Sequence, residues 1–213
     1  GYQHGQLMAR EIESYIDRCA ALFNDDDKAL DAKGKEACWR SARVTADALF
    51  LRGFDQEILT EMKGIADGAA EAGAKIFGRK VELLDIVTAN THVEQGTLRW
   101  GALLMTPSGL EGLGLEAPDY AREKQDAGAN EHCSAFAATG PATADGKMII
   151  GHVTMWGLAL AEQSNVMLDI KPAKGRRVLI QSYPGGIHSG LDWYQNDAGM
   201  VLTETTIQQG PFR

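Results

Sequence analysis

The period of the apolar residues changes along this chain, and that change restricts the folds open to it more than any other feature. Between positions 6 and 23, Met8, Ile12, Tyr15, Ile16, Cys19, Leu22 and Phe23 recur at three and four, the spacing of an amphipathic helix. Cys38, Ala42, Thr45 and Leu49 form a second stripe, Ile58, Met62, Ile65 and Ala69 a third, and Leu83, Leu84, Val87 and Thr91 a weaker fourth. Beyond Cys133 the pattern gives way to short strand-like runs at 134–138, 148–154, 166–170, 178–183 and 200–206. The turn sequence Ala144-Asp145-Gly146-Lys147 joins the first two as an antiparallel hairpin. Helices first and strands second predict an α+β fold rather than alternating βαβ units.

Three stretches follow from this reading: a mainly helical segment at 1–104, an exposed linker or processing region at 105–132, and the beginning of a sheet core at 133–213. The linker sequence "TPSGLEGLGLEAPDYAREKQDAGAN" loses periodicity and gathers glycine, proline and charge. A chain can be cut in such a loop without disturbing the packed elements on either side.

Composition narrows the partners. A net charge of −8 gives neither phosphate backbones nor anionic lipid an electrostatic gain, so nucleic acid is not an expected partner. No window approaches eighteen consecutive apolar residues, and Gly1-Tyr2-Gln3-His4 is neither basic nor apolar enough for a leader. A soluble chain with no integral membrane segment is expected. The missing initiating methionine leaves a removed leader, and with it a periplasmic or secreted location, open.

Three cysteines, Cys19, Cys38 and Cys133, are too few and too scattered for a disulfide framework, and none forms a metal-type pair. His4, His92 and His188 lack the paired spacing of a zinc site. The run Asp25-Asp26-Asp27 lacks the alternation and glycine of a calcium loop and reads as a solvated helix start. No metal and no cofactor are predicted.

Cys19 and Cys38 fall on helical stripes and read as small core residues. Cys133 stands instead where the charged, glycine-rich segment meets the first strand. It is either an inert cysteine on a strand or a nucleophile exposed by cutting the His132–Cys133 bond. In the second case the new α-amine, with a pKa near ~8, is a base for the thiol of the same residue.

The pieces "GYQHGQL" at the start, "GIADGAAEAG" at 64–73, "VELLDIVTANTHVE" at 81–94 and "HCSAFAATGPATADGKMIIGHVTMW" at 132–156 together resemble the autoproteolytic penicillin acyltransferase-type acyltransferase and hydrolase family. Farther along, "YPGGIHSGLDWYQNDAGMVLTETTI" at 183–207 resembles the phospholipase B-like family more closely. Both are N-terminal nucleophile hydrolases. The resemblance implies a four-layer αββα sandwich, cleavage before Cys133, and hydrolysis or transfer of an acyl group held on a small amide or ester. It also implies Cys133 as nucleophile, with His152 of "GHVTMW" and Asp192 of "SGLDWY" as its catalytic companions. Thr154, Trp156, Trp193, Tyr194 and Glu204 are the expected substrate contacts. Met155 stands where cholylglycine-type relatives have an aspartate, and His132 is bulkier than the small residue common before the nucleophile.

Each companion also has a plainer reading. His152 suits a satisfied core histidine, Asp192 a turn cap after Gly190, and the aromatic residues ordinary core. About ten strands and two helical layers do not fit into 133–213. The remainder of the core is therefore expected beyond Arg213 or on another chain, by association with its own missing part or another copy. The function expected is that of an autoprocessed cysteine hydrolase or acyltransferase. Its rival is a catalytically silent relative that serves as a binding or assembly module.

Overall fold

The computed structural model describes residues 1–23, 29–96, 98 and 133–205. The aspartate run at 25–27, the linker at 105–132 with His132, and the tail from Thr206 lie outside the described residues. The chain divides into two units. One joins Gly1–Leu98 with Gly157–Val166 and Ser182–Gly190; the other joins Arg99–Trp156, Met167–Gln181 and Leu191–Arg213. Two short stretches of the strand-rich half thus return to the helical unit.

In the helical unit, α1 (Tyr2–Leu7) and α2 (Ala9–Leu22) meet at Met8, whose φ of −113° and ψ of 23° leave helical values. The single helix expected over 6–23 is therefore two. α3 (Ala32–Leu49) starts at Asp31, whose carboxylate accepts a hydrogen bond from Gly34 N at 2.8 Å and so satisfies one of the free amides of the first turn. α4 (Gln56–Glu71) and α5 (Leu83–Asn90) follow the remaining stripes, α5 entered through a reciprocal capping box between Glu82 and Asp85. Between them lies a hairpin that periodicity does not reveal, because β1 (Lys75–Ile76) and β2 (Arg79–Lys80) hold two residues each. Its Phe77-Gly78 turn has φ of 48° and 82°, the left-handed pair that matches the twist of a tight hairpin.

The stripes bury Ile12, Ile16, Cys19, Met62, Ile65 and Val87 in one core, which Trp39 and Ile86, on no predicted stripe, also join. Asp85 is buried beside them. It accepts from Trp39 Nε1 at 2.8 Å, Arg43 Nη1 at 2.5 Å, Arg79 Nη1 and Nη2 at 2.7 Å each, and Glu82 N at 2.9 Å. Burial alone would raise its pKa, but the bonds from Arg79, Arg43 and Trp39 outweigh it and hold the carboxyl below the ordinary value.

Two returning segments complete this unit. α6 (Leu158–Ala161) is fastened by Arg18 Nη1, which donates to Ala159 O and Glu162 Oε2 at 2.8 Å each. In the Ser182–Gly190 segment the Tyr183 ring stacks on Tyr15 at 4.6 Å, and its hydroxyl donates to Asn90 Oδ1 at 3.0 Å. Asn90 Nδ2 donates to Gly185 O at 2.9 Å, and Gly185 N donates to His4 Nε2 at 3.1 Å.

This last bond requires a neutral His4, and burial depresses its pKa from 6.5 to about 4. In the window between those values the unfolded chain takes up a proton that the folded chain refuses. Stability is thus fully present above 6.5 and drains as the pH falls toward 4, by about 3 kcal/mol from this group alone. His92 is shifted in the same direction, again by burial. Thermal melts of wild type and His4→Gln across this window check the expectation: the variant should show the flatter dependence, and equal slopes would refute it.

In the second unit β3 (Ser134–Gly140) and β4 (Gly146–Val153) form the expected antiparallel hairpin, in register from Ser134↔Val153 to Ala138↔Ile149. Gly140 and Gly146, at φ of 58° and 73°, flank its turn. β5 (Val166–Ile170), β6 (Val178–Ser182), β7 (Trp193–Asn196) and β8 (Val201–Thr203) form a four-stranded sheet in that order, with β6–β7 and β7–β8 antiparallel. β7 is not evident from the sequence. β8 stops at Thr203, short of the run expected to reach 206, so Glu204 and Thr205 lie beyond it.

Candidate functional site

Two hairpin ends meet at Cys133. In the β3–β4 register Ser134 faces Val153, so one step outward Cys133 stands across from Thr154. Residues two apart on a strand share a face, which puts His152 and Thr154 on one side with Cys133 diagonal to His152. Gly151, just before His152, leaves room for the ring of its cross-strand partner Phe136; a Cβ there would lie 2.1 Å from Phe136 Cε1.

The second hairpin end is built the same way. Trp193 faces Thr203, and the ladder extends one step as Glu204 N donates to Asp192 O at 3.0 Å. Asp192 has φ of 62°, a left-handed conformation uncommon outside glycine and tolerated best by asparagine and aspartate. The backbone of this end supplies two acceptors. His152 Nε2 lies 2.7 Å from Glu204 O, and Thr154 Oγ1 donates to Leu191 O at 3.0 Å. Thr154 Oγ1 also lies 3.1 Å from His152 Nδ1.

The three expected catalytic side chains are thereby brought together. Cys133 Sγ, one ring nitrogen of His152 and a carboxylate oxygen of Asp192 all lie within 4.8 Å of one another, each residue half-buried. Met155 N donates to Cys133 Sγ at 3.5 Å, an orientation favourable to charge on sulfur. Sequence spacing had shown no metal-type pair, yet thiol, imidazole and carboxylate are donors able to hold a zinc-like ion. Among the described residues no other cluster of three such groups occurs.

The expected substrate contacts divide. Thr154 engages its hydroxyl within the protein, with His152 and Leu191. Glu204 contributes backbone to the site, while the residue itself is exposed. Trp193 and Tyr194 are neighbours on β7 and so point to opposite faces, and Trp193 Nε1 donates to Gln181 Oε1 at 3.2 Å. Trp156 is 41% exposed. The backbone acceptors of Leu191 and Glu204 were missed by sequence reasoning, since any residue type supplies a carbonyl. The Cys133–Thr154 pairing, in contrast, follows from the hairpin register once its turn is found.

Among known proteins, one relative is an uncharacterized protein of Archaeoglobus fulgidus, 22% identical across 95% of this chain. This chain spans 30% of that relative's own length. No solved structure matches. The family model for Phospholipase B matches residues 34–210, a span that begins in α3, runs past β8 and takes in Cys133, His152 and Asp192. With most of its length so matched, hairpin ends and converging side chains included, the chain belongs to the Phospholipase B family.

Proposed function

We propose that this chain carries the nucleophile portion of an autoprocessed cysteine hydrolase or acyltransferase of the N-terminal nucleophile type. The observation that carries the reading is the approach of Cys133 Sγ, a His152 ring nitrogen and an Asp192 carboxylate oxygen to within 4.8 Å at the foot of β3. Family membership supports hydrolase chemistry.

In processing, Cys133 Sγ attacks the carbonyl carbon of His132. The C–N bond breaks, a thioester forms, and water opens it to leave a carboxylate on His132 and a free α-amine on Cys133. In turnover that amine takes the thiol proton, and sulfur attacks the acyl carbon of a small amide or ester. The bond to the leaving amine or alcohol breaks as the proton is delivered to it. Water or an acceptor amine then releases the acyl group and regenerates the thiol. On this reading His152 stabilises negative charge at the sulfur and Asp192 the ammonium formed on the amine, and Trp156, the residue after Met155, is the proposed contact for the acyl group. A lipid substrate does not follow from the family's name alone.

The αββα sandwich belongs to this proposal. Phe136, Met148, Ile149 and Val153 of the β3–β4 hairpin are 53–60% exposed, apolar area that further core would cover, whether from the same protein or another copy.

Intact mass under denaturing conditions, followed by reaction with N-acyl amide and lysolipid probes, tests the reading. Two chains, the second beginning at Cys133 and gaining the acyl mass, are expected. A single uncut chain that takes up no acyl group would instead favour a silent binding module.

A further inference from the structure

Cys133, His152 and Asp192 bring three different donors, a thiol sulfur, a ring nitrogen and a carboxylate oxygen, within 4.8 Å of one another. They come from the residue before β3, from β4 and from the residue before β7. An ion bound tetrahedrally at about 2.0–2.3 Å from each ligand spaces those ligands about 3.3–3.8 Å apart. Side-chain shifts on the order of 1 Å therefore close this set on an ion. Each of the three residues is half-buried, so solvent reaches the site and the fourth position is left to water.

The outer contacts of the three donors suit a metal as well. His152 Nε2 lies 2.7 Å from Glu204 O, and a backbone carbonyl is a partner that a ligating imidazole commonly finds for its second nitrogen. Donation to that carbonyl leaves a lone pair on Nδ1. Thr154 Oγ1 stands 3.1 Å from Nδ1 and 3.0 Å from Leu191 O, so an ion that takes Nδ1 leaves the hydroxyl bonded to the carbonyl. Met155 N donates to Cys133 Sγ at 3.5 Å, an outer bond that supports a thiolate ligand. Thiolate and carboxylate together offset the two charges of a divalent ion. Sulfur selects zinc over magnesium or calcium, which prefer oxygen.

We propose that Cys133, His152 and Asp192 form a zinc-binding site whose occupation blocks the sulfur. Binding forms one bond to zinc from Sγ, one from the ring nitrogen and one from a carboxylate oxygen. Waters leave the aqueous ion, the Cys133 thiol proton passes to solvent, and nothing is oxidised or reduced. A sulfur held by zinc has committed to the metal the lone pair that would attack an acyl carbon, so the ion is a reversible inhibitor. The inhibition rests on the proposed function, with Cys133 as nucleophile; the binding of zinc does not.

The test reads binding and inhibition separately, on the whole chain. Zinc chloride is titrated against a chromophoric chelator, and cobalt(II) chloride is followed by absorption. One ion per chain is expected, with the intense visible bands of tetrahedral cobalt and a thiolate-to-cobalt charge-transfer band, and magnesium chloride should not compete. Cys133→Ala should remove the thiolate band. Cys133→Ala, His152→Ala and Asp192→Ala should each weaken zinc by at least the ~10–100-fold that loss of an outer-shell partner costs, while Cys19→Ala and Cys38→Ala leave it as it is. Saturating zinc should abolish alkylation of Cys133 by iodoacetamide, located by mass spectrometry, and a chelator should restore it. A wild-type chain without the thiolate band overturns the proposal whatever the variants do, and so does a zinc affinity unchanged in His152→Ala or Asp192→Ala. If zinc binds as expected while no acyl probe is ever captured on Cys133, the site stands and the proposed function fails. If acyl capture proceeds unchanged under saturating zinc, the function stands and the inhibition fails.

Discussion

Cys133→Ala should give a chain that is neither cut before residue 133 nor labelled by acyl or thiol-directed probes, with turnover reduced by about 10⁴-fold or more, as when a covalent nucleophile is removed. The cause is the loss of the one sulfur that His152 and Asp192 surround and the Met155 amide addresses. The other two thiols cannot substitute for it. Cys19 is fully buried among the apolar residues of the helical unit, and that burial pushes its thiol pKa up, so the reactive thiolate is disfavoured. Cys38 packs half-buried on α3 against the same core. Cys19→Ala and Cys38→Ala should therefore leave labelling as it is. Mass spectrometry of labelled peptides decides the matter, and label persisting in Cys133→Ala would remove this cysteine from the mechanism.

How much of this was legible in the sequence differs from element to element, for physical reasons. The helical stripes and the β3–β4 hairpin were legible because burial imposes a period on long elements and the Asp145-Gly146 turn marks where the chain reverses. β7 was not, because the four residues of Trp193–Asn196 are flanked by aspartates and offer barely two alternations. β1 and β2 are shorter still, and their turn places Phe77 at a positive φ that no propensity favours. The return of Ser182–Gly190 to the helical unit depends on Tyr183 meeting Asn90 and Tyr15, residues far from it in sequence. Within the site, Cys133 was singled out by its place before the first strand and His152 and Asp192 through the family resemblance, and the structure brings the three side chains together. Thr154 was expected as a substrate contact; what the sequence did not show is that its hydroxyl lies between His152 and the Leu191 carbonyl. A backbone acceptor leaves no mark on the residue that carries it.

Gly5→Ala should destabilise the helical unit by about 3 kcal/mol or more, although alanine is the better helix former by ~1 kcal/mol. The motif "GYQHGQL" packs on "GIADGAAEAG" through glycines four apart on each side, Gly1 and Gly5 against Gly64 and Gly68. A Cβ on Gly5 would lie 2.0 Å from Ile65 O and 2.8 Å from Ala69 N, and one on Gly68 would lie 2.1 Å from Tyr2 O. These are backbone atoms of the facing helix, so no side chain can rotate away. Relief requires α1 to lift from α4, which uncovers the α4 face that holds Ile65 and Ala69 and pulls His4 from Gly185 N. The gain in helix propensity is too small to offset that loss. Gly53, at the end of the 3₁₀ turn Leu51–Gly53, is the control: nothing lies within 4 Å of a Cβ built there, so Gly53→Ala should be neutral or stabilising by a few tenths of a kcal/mol. Urea unfolding of both variants makes the comparison. A Gly5→Ala chain as stable as Gly53→Ala would mean that α1 and α4 are not held in backbone contact at this crossing.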